Sequence, residues 1–80
     1  MNRSYKVSAT VAPNLQNVDS HIIHGSFSFG AFDAAKRFVA DYLPTYEVIP
    51  GGVPYPQGRR FDAIDHDQQI GASLFVSEVI

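Results

Sequence analysis

The densest group of chemistry-bearing side chains is Asp62, Asp65, His66 and Asp67. Three carboxylates and an imidazole so close in sequence could hold a hard cation, or divide acid and base roles between them. The spacing D-x-x-D-H-D lacks both the glycine and the distal glutamate of a calcium loop. Such polar runs also make solvated turns between strands. The functional reading that stands beside that turn is an acidic docking patch, not a catalytic centre. His21 and His24 are a second candidate pair, but residues three apart on a strand point to opposite faces, so they could share a metal only if the segment were helical or bulged.

A third candidate is the run Pro50-Gly51-Gly52-Val53-Pro54-Tyr55-Pro56-Gln57-Gly58, which leads into Arg59-Arg60. Phosphate cradles use consecutive backbone N–H groups at the start of a helix. Three prolines remove three of those donors, and Arg60 leads into a strand, not a helix. Tyr and Arg are, however, the residues that dominate interface hot spots. Tyr55, Arg59 and Arg60, with Asp62, Asp65 and Asp67 just beyond, therefore form the predicted partner-binding set. Gly25-Ser26-Phe27-Ser28 does not fit the G-x-S-x-G nucleophile turn. The chain has no cysteine, so it can form neither a disulfide nor a thiolate zinc site. No catalytic residue, metal site or cofactor is assigned.

The elements that must carry these residues follow from apolar spacing. Tyr5, Val7, Ala9 and Val11 alternate with Lys6, Ser8 and Thr10, the mark of a strand with one buried and one wet face. Asn14 to Ser20 reads as a connecting loop. A second strand is expected from about His21 to Phe29, with Ile23, Gly25, Phe27 and Phe29 on the face toward a helix. Ala31, Phe32, Ala35, Phe38, Val39, Tyr42 and Leu43 form one stripe at helical spacing, and Pro44 ends that helix. Thr45–Ile49, Arg60–Asp65 and Gly71–Ile80 read as three further strands. The last has Ala72, Leu74 and Val76 on one side and Phe75, Ser77 and Val79 on the other. The order β-β-α-β-β-β predicts an α+β fold: an antiparallel sheet of four to five strands with one helix on one face.

Eighty residues make one domain, spanning 1–80, whose core can bury only about 60–65% of its unfolded surface. Six Phe and four Tyr supply that core. Eight acidic and six basic residues give a net charge of −2, too balanced to attract nucleic acid by a basic footprint. No apolar run approaches a membrane span and no signal peptide is read, so a soluble, cytoplasmic protein is expected.

The N-terminal strand, the alanine-rich amphipathic helix Phe32-Asp33-Ala34-Ala35-Lys36-Arg37-Phe38-Val39-Ala40 and the closing strand together resemble small phage-encoded anti-CRISPR proteins. The resemblance covers the whole chain in architecture and carries no motif, so it transfers no functional residue. It implies a non-enzymatic inhibitor that sits on a Cas surveillance complex in the host cytoplasm and blocks access to target DNA. Three other readings stand beside it. One is a β-sheet nucleic-acid-binding domain using Arg3, Lys6, Arg59 and Arg60. Another is a small metal-binding protein or enzyme built on His66 and its flanking aspartates. The last is a homo-oligomer that pairs through its terminal strand.

Overall fold

The structure, a computed structural model, describes residues 3–11, 16–25, 30–67 and 70–79, with the side chains of 16–18 left aside. Its elements are β1 (Arg3–Val11), β2 (Gln16–Gly25), α1 (Ala31–Tyr42), β3 (Glu47–Val48), β4 (Val53–Tyr55), β5 (Gly58–Asp65) and β6 (Ile70–Val79). All pairings are antiparallel, in the order β2-β1-β6-β5-β3, with β4 also pairing β5. The helix covers one side of this sheet, as the alternation predicts.

Three boundaries differ from the expectation. β2 begins at Gln16, inside the stretch read as a loop. β2 is an edge strand with one neighbour, so it needs no apolar row as marked as that of a central strand. It also carries one extra residue: Val7 pairs with His21 and Ala9 with Val18, so β1 advances two residues while β2 advances three. Such a bulge breaks the period that makes a strand legible. Phe27 and Phe29 lie outside the described residues. The third strand is shorter than Thr45–Ile49, because Tyr46 donates its N–H back to the Leu43 carbonyl at 2.9 Å.

The proline–glycine run is not all loop, since Val53–Tyr55 forms β4. The Ile49 N–H donates to the Asp62 carbonyl at 2.8 Å, which sets which residues of β5 turn their backbone toward this edge. Antiparallel ladders alternate, so Asp62 and Arg60 face the β3–β4 side and Arg59 does not. Pro54 stands opposite Arg59, where no ladder N–H is required of it. At Gly58 a Cβ would collide with the Val76 carbonyl oxygen, so only glycine lets β5 start so close to β6.

The closing strand β6 lies in the middle of the sheet, between β1 and β5. Edge-to-edge pairing along this strand would have to displace β1, which pairs residues 72–79, or β5, which pairs residues 70–76. Phe38, Leu74, Val7 and Val76 are fully buried at the centre of the core, and Ala34 and Ala35 let the helix backbone approach the sheet. Val39 is buried as expected. Phe32, Leu43 and Val11 pack at the margin, half-buried. The helix starts at Gly30, whose φ of 60° suits glycine and whose carbonyl accepts the Ala34 N–H at 3.2 Å. Among the described residues no helix is long and apolar enough to cross a membrane.

Candidate functional site

The side of the sheet away from α1 carries no covering layer among the described residues, and the strand register fixes what it presents. Phe75 of β6 stands between Ser8 of β1 and Arg60 of β5. The next row pairs Lys6 with Ser77, and Lys6 also stands opposite Ile22. Tyr55 of β4 comes edge-on to Phe75, with ring centroids 5.8 Å apart at 89°. That arrangement matches the preferred geometry of aromatic pairs. Between Lys6, Ser8, Tyr55, Phe75 and Ser77 lies a shallow depression of about 320 Å³.

The same face gathers exposed apolar surface. Ile22, Val53 and Val79 are 46%, 54% and 42% exposed and share the face of Lys6, Arg60 and Phe75 respectively. Ile49, 40% exposed, stands at its rim in a hollow with Thr10, Asp62 and Ser73. Among the described residues, only Tyr42 of the large exposed apolar side chains lies on the helix side. Its ring stacks on His21 at 4.0 Å and 15°. Lys6 and Arg60 are exposed and have no side-chain partner among the described residues.

The predicted partner-binding residues divide. Tyr55, Arg60 and Asp62 lie on the open face. Arg59 points to the helix side and donates to the carbonyls of Gly51 and Gly52 at 3.1 and 3.4 Å, which ties down the loop before β4. Asp65 is only 3% exposed. Its carboxylate accepts the Thr45 hydroxyl at 2.9 Å and the Asp67 N–H at 3.1 Å. Asp65 therefore closes the turn after β5, and of that pair only Asp67 is left for an acidic surface. Beside this turn His66 Nε2 lies 3.1 Å from Glu47 Oε1, both side chains exposed. Burial, and then the neighbouring Asp65 charge, push the Tyr46 hydroxyl above its ordinary pKa.

The two histidines of β2 point to opposite sides, as strand alternation requires. His21 stacks on Tyr42, and the His24 ring nitrogen Nδ1 shares a 2.6 Å hydrogen bond with the Ser4 hydroxyl. No group of three His, Asp or Glu converges on one point among the described residues. Of the four cations in the nucleic-acid reading, Lys6 and Arg60 project from the open face. Arg3 falls on the other side, its Nε 4.0 Å from a Glu78 carboxylate oxygen.

Sequence reasoning did not single out Phe75, and it named Lys6 as a binding residue only in the nucleic-acid reading. The available signal was a large aromatic on the wet side of a strand whose other side, Ala72-Leu74-Val76, is entirely apolar. A second concavity of about 700 Å³ runs between α1 and β3, walled by Phe32, Val39, Tyr46 and Val48. Its walls are side chains that also pack on the core. No protein-family model, curated protein or solved structure matches the chain.

Proposed function

We propose that this chain is a non-enzymatic binding protein that docks on a protein partner through the open face of its sheet. The observation that carries this reading is the Tyr55–Phe75 pair on the open face, which also bears exposed Ile22, Val53 and Val79 and two cations, Lys6 and Arg60, without side-chain partners among the described residues. Exposed apolar residues are ordinary when scattered singly, but these share one face with an aromatic pair and interleave with polar side chains, the mixture of an interaction surface. Aromatic anchors beside an arginine are the composition of hot spots. Hydroxyls at Ser8, Ser73 and Ser77 offer short hydrogen-bonding groups that cost little side-chain entropy to order.

A protein partner fits better than a nucleic acid. Two cations, with Asp62 in the next row, make a weak phosphate track, whereas the apolar area suits a protein surface. The architectural resemblance to anti-CRISPR proteins gives the partner a class to test, namely a Cas surveillance complex whose access to target DNA the bound chain would block sterically.

The test is binding of target DNA by purified Cas surveillance complexes in the presence of the chain. The reading expects inhibition by the wild type, and at least tenfold weaker inhibition by Phe75→Ser with Arg60→Glu, on the scale of about 1.4 kcal/mol per decade. A panel of complexes in which none responds to the wild type overturns the anti-CRISPR assignment. Equal inhibition by both proteins overturns the assignment of the face.

A further inference from the structure

Among the described residues, β2 is the one long strand of the sheet with an unpaired side, and the ladder fixes which of its backbone groups face outward. Counting from the Ile49–Asp62 bond, alternation directs Leu74 and Val76 toward β5, Phe75 and Ser77 toward β1, and Tyr5 and Val7 toward β2. Tyr5 and Val7 therefore pair with Ile23 and His21, and the N–H and C=O groups of Ile22 and His24 point away from the sheet. One of these is already met. Arg37 Nη1, on the helix, donates to the His24 carbonyl at 3.5 Å, and the guanidinium lies over Gly25, where it would collide with any Cβ.

We propose that the outer edge of β2 is a docking edge for a second copy of this chain, and that Arg37 holds it shut. This inference concerns the sheet edge; it shares Ile22 with the open-face reading above but does not rest on it.

The occupant follows from symmetry. An edge with two outward residues spaced by one is complementary to itself under a two-fold axis. An axis through Ile23 sets Ile22 of one copy against His24 of the other, and the reverse, and so closes four backbone hydrogen bonds. The paired segment is His21–Gly25, which ends before the bulge and leaves out Asp19, the one Asp, Glu, Lys or Arg of β2. Ile22 on one side of this edge and Tyr42 on the other are 46% and 41% exposed, and pairing would cover both. The segment lacks the lysine or proline that blunts free edges. Arg37 serves that purpose instead, by occupying the His24 carbonyl and filling the space above Gly25. Its bond to the His24 carbonyl is long, so its removal uncovers the edge.

The experiment is sedimentation equilibrium of the full chain, with circular dichroism to establish that each variant is folded. The wild type should sediment at the 8.8 kDa monomer mass. Arg37→Gln should approach twice that mass, with dimerisation at least tenfold tighter than in the wild type. Adding Ile22→Pro, or Ile22→Lys in case proline disturbs β2, should return the Arg37→Gln protein to monomer. Amide hydrogen exchange separates the edge from any other contact: Ile22 and His24 should be protected in the Arg37→Gln dimer and unprotected in the wild type. An Arg37→Gln protein that stays as monomeric as the wild type overturns the proposal. A dimer that survives both Ile22 substitutions, or leaves the two amides unprotected, also overturns it.

Discussion

Replacing Asp65 by alanine removes a carboxylate that the sequence places in an acidic patch and the structure places in the interior. The bonds lost include those from the Thr45 hydroxyl and the Asp67 N–H. Hydrogen bonds to charged groups contribute about 1.5–3 kcal/mol each when both partners are buried. Thr45 and Asp67 are exposed, so water recovers part of each bond. The net cost is therefore about 1–3 kcal/mol, against about 0–0.5 kcal/mol for Asp62→Ala or Asp67→Ala on the surface. Stability of a chain this length is about 4–12 kcal/mol, so the loss is measurable. Urea unfolding followed by circular dichroism reads it as a lower midpoint at unchanged slope. Asp65→Asn, which keeps one acceptor oxygen, should fall between alanine and wild type. If all three aspartate-to-alanine variants unfold at the same midpoint, the Asp65 carboxylate does not hold the turn and the description of this site is wrong.

Phe38→Ala should cost about 3–5 kcal/mol and Phe32→Ala less, because Phe38 is fully buried and Phe32 lies at the core margin; chemical denaturation of the two variants checks the order. Gly58→Ala should lower the melting temperature, since its Cβ has no room beside the Val76 carbonyl, whereas Gly51→Ala meets no atom and carries only the strain of its φ of 111°. The Tyr46 hydroxyl titrates higher in the folded chain than in the unfolded one, so its contribution is fully present below the ordinary tyrosine value of about 10 and is lost as pH rises above it. Tyr46→Phe should flatten that alkaline loss of stability in melts between about pH 9 and 11.

Much of the fold is legible in the residues. Alternation in Tyr5–Val11 and Ala72–Val79 gives two strands with the correct inward rows, and the stripe from Ala31 to Tyr42 gives the helix with Pro44 at its end. The places that resist reading have physical causes. The bulge near Asp19 breaks the period of β2, and an edge position lets Pro54 sit in a strand. The candidate site is less legible than the fold. Tyr55, Arg60 and Asp62 reach the open face, but burial of Asp65 and the tie from Arg59 to Gly51 depend on contacts distant in sequence. Sequence order also cannot show that the closing strand is central, because that follows from β6 pairing with β1 and β5 at once.

The open face itself is tested most directly by capturing partners from a host lysate with three immobilised proteins compared by quantitative mass spectrometry. These are the wild type, the open-face variant Lys6→Glu with Arg60→Glu and Phe75→Ser, and a helix-face control, Lys36→Glu with Asp41→Lys. The account predicts a protein held by the wild type and the helix-face control and depleted at least tenfold on the open-face variant. Retention of that protein by the open-face variant, with loss on the helix-face control, would contradict it.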